Sequence, residues 1–283
     1  MNLPDPPSDT ITDIKVREDN IYVSSFDKTL RIYQDGLLSR TIAHNLPILK
    51  VEFFNSEPIF TDIAGNVNTH HLCIKTDCGG IQGISVHNNA IIAAGWNKKL
   101  QIIQNNEIQR TIELQEKVYA MDRCDDVILM GCSNNTYMLV DMRKPEKIMR
   151  RSVAGPITSV VLSEYAIIGM LNGKIRVDSS VMGSSRASDT YTFNCHHKSS
   201  GNKRINYPVN ALILDGTLIS CGSDGSINEW NVLDRMMLKE IYRSDLNVSA
   251  IERYKNKIVA GLSYNYEQGD RESFKPELRI LHR

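Results

Sequence analysis

With 283 residues, 41% of them hydrophobic, the chain can bury a sizeable core and is too apolar to remain unfolded. Its 33 basic residues balance 33 acidic ones, so bulk charge gives no reason to expect DNA, RNA or an anionic membrane as a partner. No apolar run nears the roughly 20 residues that span a bilayer, MNLPDPPSD has neither part of an export signal, and the six cysteines form no Cys-x-x-Cys pair, which predicts reduced thiols in the nucleus or cytoplasm.

From Ile11 a short alternating segment, ITDIKV, is followed by a hairpin pattern, IYVSSFDKTLRIYQ, beginning at Ile21. The pair then recurs. LKVEFF precedes the degenerate IFTDIAGNVNTHHL, QGISV precedes IIAAGWNKKLQIIQ, and VYAMD precedes VILMGCSNNTYMLVDMR. ITSVVL precedes AIIGMLNGKIRVD, VNALIL precedes TLISCGSDGSINEWN, and VSAIE precedes IVAGLSYNYEQGDRESFKPELRIL. Alternation over short runs is the period of strands, and no long helical pattern occurs. Aligning the second turn residue of each hairpin gives Lys28, Gly65, Lys98, Asn135, Gly173 and Gly225, with steps of 37, 33, 37, 38 and 52. A period of about 40 with four short strands per unit predicts an all-β, seven-bladed WD-repeat β-propeller forming one domain over residues 1–283.

Each blade is expected to run a, b, c, d, with the segments above as a and the hairpins as b and c. The long step predicts one insertion between about Ser179 and Tyr207, and the seventh b–c turn is expanded into a polar loop. The last c strand ends the chain, so residues around Met1–Leu3 are expected to supply the missing outer strand and close the ring, which removes exposed edges. The aligned turn positions must tolerate positive φ. Small residues before the turns (Ser24–Ser25, Ala94–Gly95, Cys221–Gly222) are expected to meet crowding near the axis, and Trp230 closes a c strand.

Two aromatics, Phe26 and Trp96, occupy b–c turns where a small or polar residue would serve the backbone better. Either each ring packs on its own blade, or it anchors a bound peptide. A metal site is not expected. His70, His71, Cys73 and Cys78, and the run Cys195, His196 and His197, fit no standard ligand spacing, and alternation would send His70 and His71 to opposite faces of a strand. With no Gly-rich phosphate loop and no nucleophile elbow, neither a cofactor nor an enzymatic activity is expected.

PPSDTITDIKVREDNIYVSSFDKTLRIYQ, EKVYAMDRCDDVILMG, NGKIRVD, YTFNCHH, YPVNA, GSDGSINEWN and LSYNYEQGD together, in this order, resemble the family of mitotic-checkpoint WD-repeat proteins called budding uninhibited by benzimidazole 3. The messenger-RNA-export WD-repeat protein shares the CH and SY motifs, whereas YPVNA and EKVYAMD lean to the checkpoint member.

The resemblance implies a non-enzymatic, monomeric adaptor of the spindle checkpoint, in the nucleus, at kinetochores and in the cytoplasm. It would grip a GLEBS motif, an acidic segment of checkpoint kinases or of a nucleoporin, across its top face. It would also carry partners to phosphorylated MELT repeats of a kinetochore scaffold. Phe26, Trp96, Lys174, Tyr207 and Tyr264 are the implied peptide-binding residues, with Lys174 and His197 as phosphate readers. The match is incomplete, because Thr158 stands where the family carries an arginine, and Asn194 and His197 flank the CH motif where it carries basic residues. Lysine cannot reproduce arginine's bidentate grip on phosphate, so Lys198, Lys203 and Arg204 are the charges to which that task could have moved. Two other readings stay open: a nuclear-pore mRNA-export factor that binds a nucleoporin GLEBS motif, and a substrate-recruiting scaffold of a ubiquitin ligase.

Overall fold

The computed structural model of the chain describes residues 1–181, 190–200, 203–265 and 274–283. The strands group in sequence order. Blade 1 holds β1 (Ile11–Arg17), β2 (Asn20–Ser25), β3 (Thr29–Gln34) and β4 (Leu37–Ala43); blade 2 holds β5 (Ile48–Phe54), β6 (Glu57–Asp62), β7 (Asn66–Asn68) and β8 (Cys73–Lys75). Blade 3 is β9 (Ile81–His87), β10 (Ala90–Gly95), β11 (Lys99–Gln104) and β12 (Glu107–Glu113). Blade 4 is β13 (Val118–Cys124), β14 (Val127–Cys132), β15 (Thr136–Asp141) and β16 (Ile148–Ser152), and blade 5 is β17 (Ile157–Leu162), β18 (Ala166–Met170), β19 (Lys174–Asp178) and β20 (Tyr191–Asn194). A separate hairpin, β21 (His197–Ser200) and β22 (Lys203–Asn206), precedes blade 6, which is β23 (Val209–Asp215), β24 (Thr217–Gly222), β25 (Ser226–Asn231) and β26 (Met236–Arg243). Blade 7 is β27 (Val248–Tyr254), β28 (Lys257–Leu262) and β29 (Glu277–His282).

The first strands touch in an unbroken circuit, β1 to β5, β9, β13, β17, β23, β27 and back to β1, so they surround an axis and form a seven-bladed β-propeller. Hydrophobic packing follows the same circuit, with one apolar cluster in each wedge between neighbouring blades and no single centre. The ring closes as the termini predict. Leu3 N donates to Leu278 O and Ile280 N to Met1 O, each at 2.8 Å, and Asn2 bridges Arg279. Leu3 is buried in the wedge between blades 7 and 1.

The aligned turn residues all carry positive φ: Lys28 at 68°, Gly65 at 90°, Lys98 at 59°, Asn135 at 56° (with Asn134 beside it also positive), Gly173 at 73° and Gly225 at 81°. Glycine is required most at 225, where a Cβ would lie 2.0 Å from Ser244 O.

Two expectations need correction. The insertion is not one block, because it contains β20, the outer strand of blade 5, followed by the extra hairpin β21–β22; residues 182–189 lie outside the described residues. So does 266–273, the middle of the expanded seventh turn. Crowding at the small residues comes from the incoming links and not from the axis. A Cβ on Gly95 would lie 2.6 Å from Cys78 O and Gly80 O, and one on Gly222 2.5 Å from the His196 ring.

Candidate functional site

Every first strand carries a β-bulge at its second residue. Ile11 pairs Ser25 while Asp13 pairs Ser24, which leaves Thr12 extra, and the same slip isolates Leu49, Gln82 and Tyr119. It also isolates Thr158, Asn210 and Ser249 in blades 5, 6 and 7. A bulge turns its extra residue out of the pleat, and these seven side chains line a cavity of about 370 Å³ at the mouth of the central channel. Several also bridge to the next blade. Thr12 Oγ1 donates to Ile48 O at 2.9 Å, Thr158 Oγ1 to Val209 O at 2.6 Å and Asn210 Nδ2 to Val248 O at 2.8 Å.

Three residues further along the first strands stand Lys15, Glu52, Asp122 and Glu252. Lys15 Nζ lies 3.7 Å from Glu52 and 3.9 Å from Glu252, and Lys50 Nζ lies 3.1 Å from Asp13. Burial opposes the Lys15 charge, but Glu52, Glu252, Asp13 and Asp122 outweigh it and hold the ammonium well above the usual lysine range. Burial pushes the Asp122 and Glu252 carboxyls up, against the pull of Lys15.

The top face is built from the b–c turns and the d–a links. Three of its carboxylates are turned inward, while Asp77 and Asp245 on the d–a links are exposed. Asp27 accepts from Thr29 and Arg31, Asp62 from Asn66, Asn68 and the Ala64 amide, and Glu116 from Ser133, Asn134 and Arg150. Its lysines point outward: Lys28, Lys98 and Lys117 are exposed and Lys174 is half-buried. None of the four is ion-paired among the described residues.

Phe26 is half-buried at the channel mouth. Trp96 sits on the link into its own blade, with ring atoms 2.6 Å from where a Cβ on Gly80 would be, so residue 80 must be glycine. Its indole Nε1 is buried without a hydrogen-bond partner among the described residues. Lys174, Tyr207 and His197 gather between blades 5 and 6. There Cys195 N and His196 N both donate to Gly173 O, Tyr207 N donates to His196 O, and Lys198 Nζ lies 5.4 Å from the Tyr207 ring centre. His197, Lys198, Lys203 and Arg204 are exposed on the extra hairpin, and Asn194 is exposed at the end of β20. Tyr264 needs correction as a contact residue. It is 2% exposed, its ring lies 5.9 Å from Phe274, and its carbonyl accepts from Thr10 Oγ1 at 2.7 Å, so as folded it is core and offers no surface to a ligand.

His70 and His71 do not straddle a strand. They occupy the turn between β7 and β8 and their rings stack 4.5 Å apart, although no three potential ligands converge among the described residues.

Sequence reasoning missed the role of His196. Trp230 Nε1 donates to Ser220 Oγ at 2.9 Å, Ser220 Oγ meets His196 Nε2 at 3.0 Å, and His196 Nδ1 meets Asp224 Oδ1 at 2.8 Å. This buried chain ties the link from blade 5 to the b and c strands of blade 6. Burial pushes the Asp224 carboxyl up, but hydrogen bonds from His196 and Ser226 outweigh it and hold it below the ordinary range. The signal was present as a histidine upstream of Ser-x-x-x-Asp and a strand-c tryptophan in the next blade.

No protein-family model matches the chain. It is 23% identical to the Poly(A)+ RNA export protein of Schizosaccharomyces pombe, over 95% of this chain and 85% of that protein. It is 23% identical to the mitotic checkpoint protein BUB3.1 of Arabidopsis thaliana, over 97% of this chain and 90% of that protein. The solved structure of U3-55K superposes with a TM-score of 0.82 over 99% of this chain and 97% of that one, at 10% identity, a likeness of fold. The curated relatives thus come from the two branches that the motifs resemble.

Proposed function

We propose that this relative of the checkpoint and RNA-export propellers is a non-enzymatic adaptor that holds an acidic, GLEBS-type peptide across its top face. One observation carries the reading: Asp27, Asp62 and Glu116 are spent on the face's own turns, whereas Lys28, Lys98 and Lys117 are exposed and free of ion pairs among the described residues. Such a face attracts an acidic segment and repels a basic one. Phe26 and Trp96 supply aromatic area beside it, and the orphaned Trp96 Nε1 is a donor that an acceptor on the ligand could satisfy after a small shift.

Read on the checkpoint branch, the acidic segment belongs to checkpoint kinases, and the adaptor brings them to kinetochores. His197, Lys198, Lys203 and Arg204 on the extra hairpin are then the charges available for a phosphorylated scaffold, with Lys174 at its base. The export branch is the second reading, favoured by the similarity to an RNA export protein. In it the same face takes a nucleoporin segment. The two readings are separated by titrating purified protein with a GLEBS peptide from a checkpoint kinase and one from a nucleoporin, beside a Phe26→Ala, Trp96→Ala variant of unchanged unfolding temperature. Preference for the kinase peptide, lost in the variant, supports the first reading and preference for the nucleoporin peptide the second. Binding of neither refutes the adaptor proposal.

A further inference from the structure

We propose that the mouth of the central channel is a receptor for one basic side chain, arginine above lysine, presented by a peptide lying on the top face. The proposal rests on the peptide reading of that face only for the source of the side chain; the pocket's chemistry stands by itself.

The cavity of about 370 Å³ is ample for a guanidinium and its stem. Three of its polar lining residues, Thr12, Thr158 and Asn210, have already committed donors. The Thr12 hydroxyl gives its hydrogen to Ile48 O, Thr158 gives its hydrogen to Val209 O, and the Asn210 amide nitrogen serves Val248 O and Ser223 Oγ. What these hydroxyls have left is lone pairs, and Asn265 Oδ1, also in the lining, has no donor among the described residues. A site of spare acceptors suits a group made only of donors, as guanidinium is. Phe26 and Tyr119 add aromatic surface to the same cavity, on which a planar cation stacks.

Charge below the mouth agrees. Glu52, Asp122 and Glu252 face a single ammonium, Lys15, while Lys50 at the mouth is matched by Asp13. The channel therefore keeps an excess of carboxylate under a lining without free charge, and narrow walls focus that field on the opening. An anion finds the opposite of what it needs. The outward lysines of the rim remain for acidic residues of the same peptide, so the ligand pattern is a basic residue within an acidic stretch.

The test follows the ring signals of Tyr119 and Phe26 by NMR during titration of the full chain with N-acetyl-arginine methylamide, its citrulline isostere and spermidine. Saturable shifts with the arginine compound, and at least about tenfold weaker ones with citrulline, are expected. A Glu52→Gln, Glu252→Gln double variant, folded by its unfolding temperature, weakens the arginine compound about tenfold. Thr158→Arg, which places a guanidinium of the protein's own at the mouth, abolishes the shifts. No saturable shift, equal binding of citrulline, or an unchanged affinity in the glutamine variant overturns the proposal. Spermidine binding tighter than an acidic peptide with a central arginine overturns the peptide as source. Acidic peptides without arginine that bind while the arginine compound does not would sink this inference and leave the adaptor reading intact.

Discussion

Replacing Ser220 with alanine tests the buried chain that joins blades 5 and 6. Ser220 is fully buried, and its oxygen meets Trp230 Nε1 at 2.9 Å and His196 Nε2 at 3.0 Å. The indole can only donate, so the serine oxygen accepts there; Asp224 Oδ1 accepts from Nδ1–H, and Nε2 is left to pair with the serine hydroxyl. Alanine strands a donor on Trp230, which is 7% exposed, and an acceptor on His196, which is fully buried. Each buried orphan costs about 1–3 kcal/mol, so the variant loses about 2–6 kcal/mol. That is a large part of an ordinary stability of about 5–15 kcal/mol. With an unfolding slope on the order of 3 kcal/mol per molar urea, the midpoint falls by about 1 M. Urea titration followed by circular dichroism reads it in every variant. Trp230→Phe removes the donor itself, so Ser220→Ala costs less in that background than in the parent, by about 1 kcal/mol or more. A loss below about 0.5 kcal/mol, or strict additivity of the two changes, would refute the account.

The remaining expectations are simpler to check. Asp224 is held below the ordinary carboxylate range, so its contribution to stability is complete above that range and disappears as pH falls through the depressed value; Asp224→Asn should flatten the acid side of the stability profile measured by urea titration. Asp122 has the opposite sign, since burial raises it and the ionised form is the costly one. Asp122→Asn should therefore stabilise the fold at pH 7, an advantage that calorimetry should find gone near pH 4. Lys98 carries φ of 59° without being glycine, so Lys98→Gly should leave stability unchanged or raise it by about 0.5 kcal/mol while weakening an acidic peptide about threefold at low salt, by anisotropy. Deleting Met1–Leu3 removes backbone pairing to blade 7 and the buried Leu3 side chain; thermal unfolding should show a loss of about 3–5 kcal/mol.

The fold was legible because a propeller repeats its constraints. Lys28, Lys98 and Asn135 could be aligned with glycines only because every b–c hairpin needs the left-handed conformation at one place, and the backbone shows it at those residues. The strands a announced themselves because they are squeezed between two wedges and must be apolar. The outer strands did not. β20 carries alternating exposed residues, since it faces solvent on one side, and it was lost inside a long step that also contains a hairpin. Losing β20 hid the link that carries His196. Tyr264 was misplaced for another reason: its motif names a segment, and a motif does not say which way a ring turns. The bulges were invisible too. A one-residue slip leaves the apolar pattern readable, and the residues it turns into the channel mouth, from Thr12 to Tyr119, share no chemistry that a repeat search would detect.

The contact between Met1–Leu3 and β29 joins two segments separated by nearly the whole propeller. At about 5–20 residues per second, the stretch between them takes on the order of 15–60 s to emerge. Throughout that interval the growing protein is an open arc, with the apolar flank of blade 1, Ile11 and Ile14 among it, waiting for a neighbour not yet synthesised. Ring closure is therefore a late event that requires Leu278–Ile280 to have left the exit tunnel. A chain that stops short of β29 would present that flank to the cell, and the quality-control machinery could tell a closed ring from an open one by this surface alone.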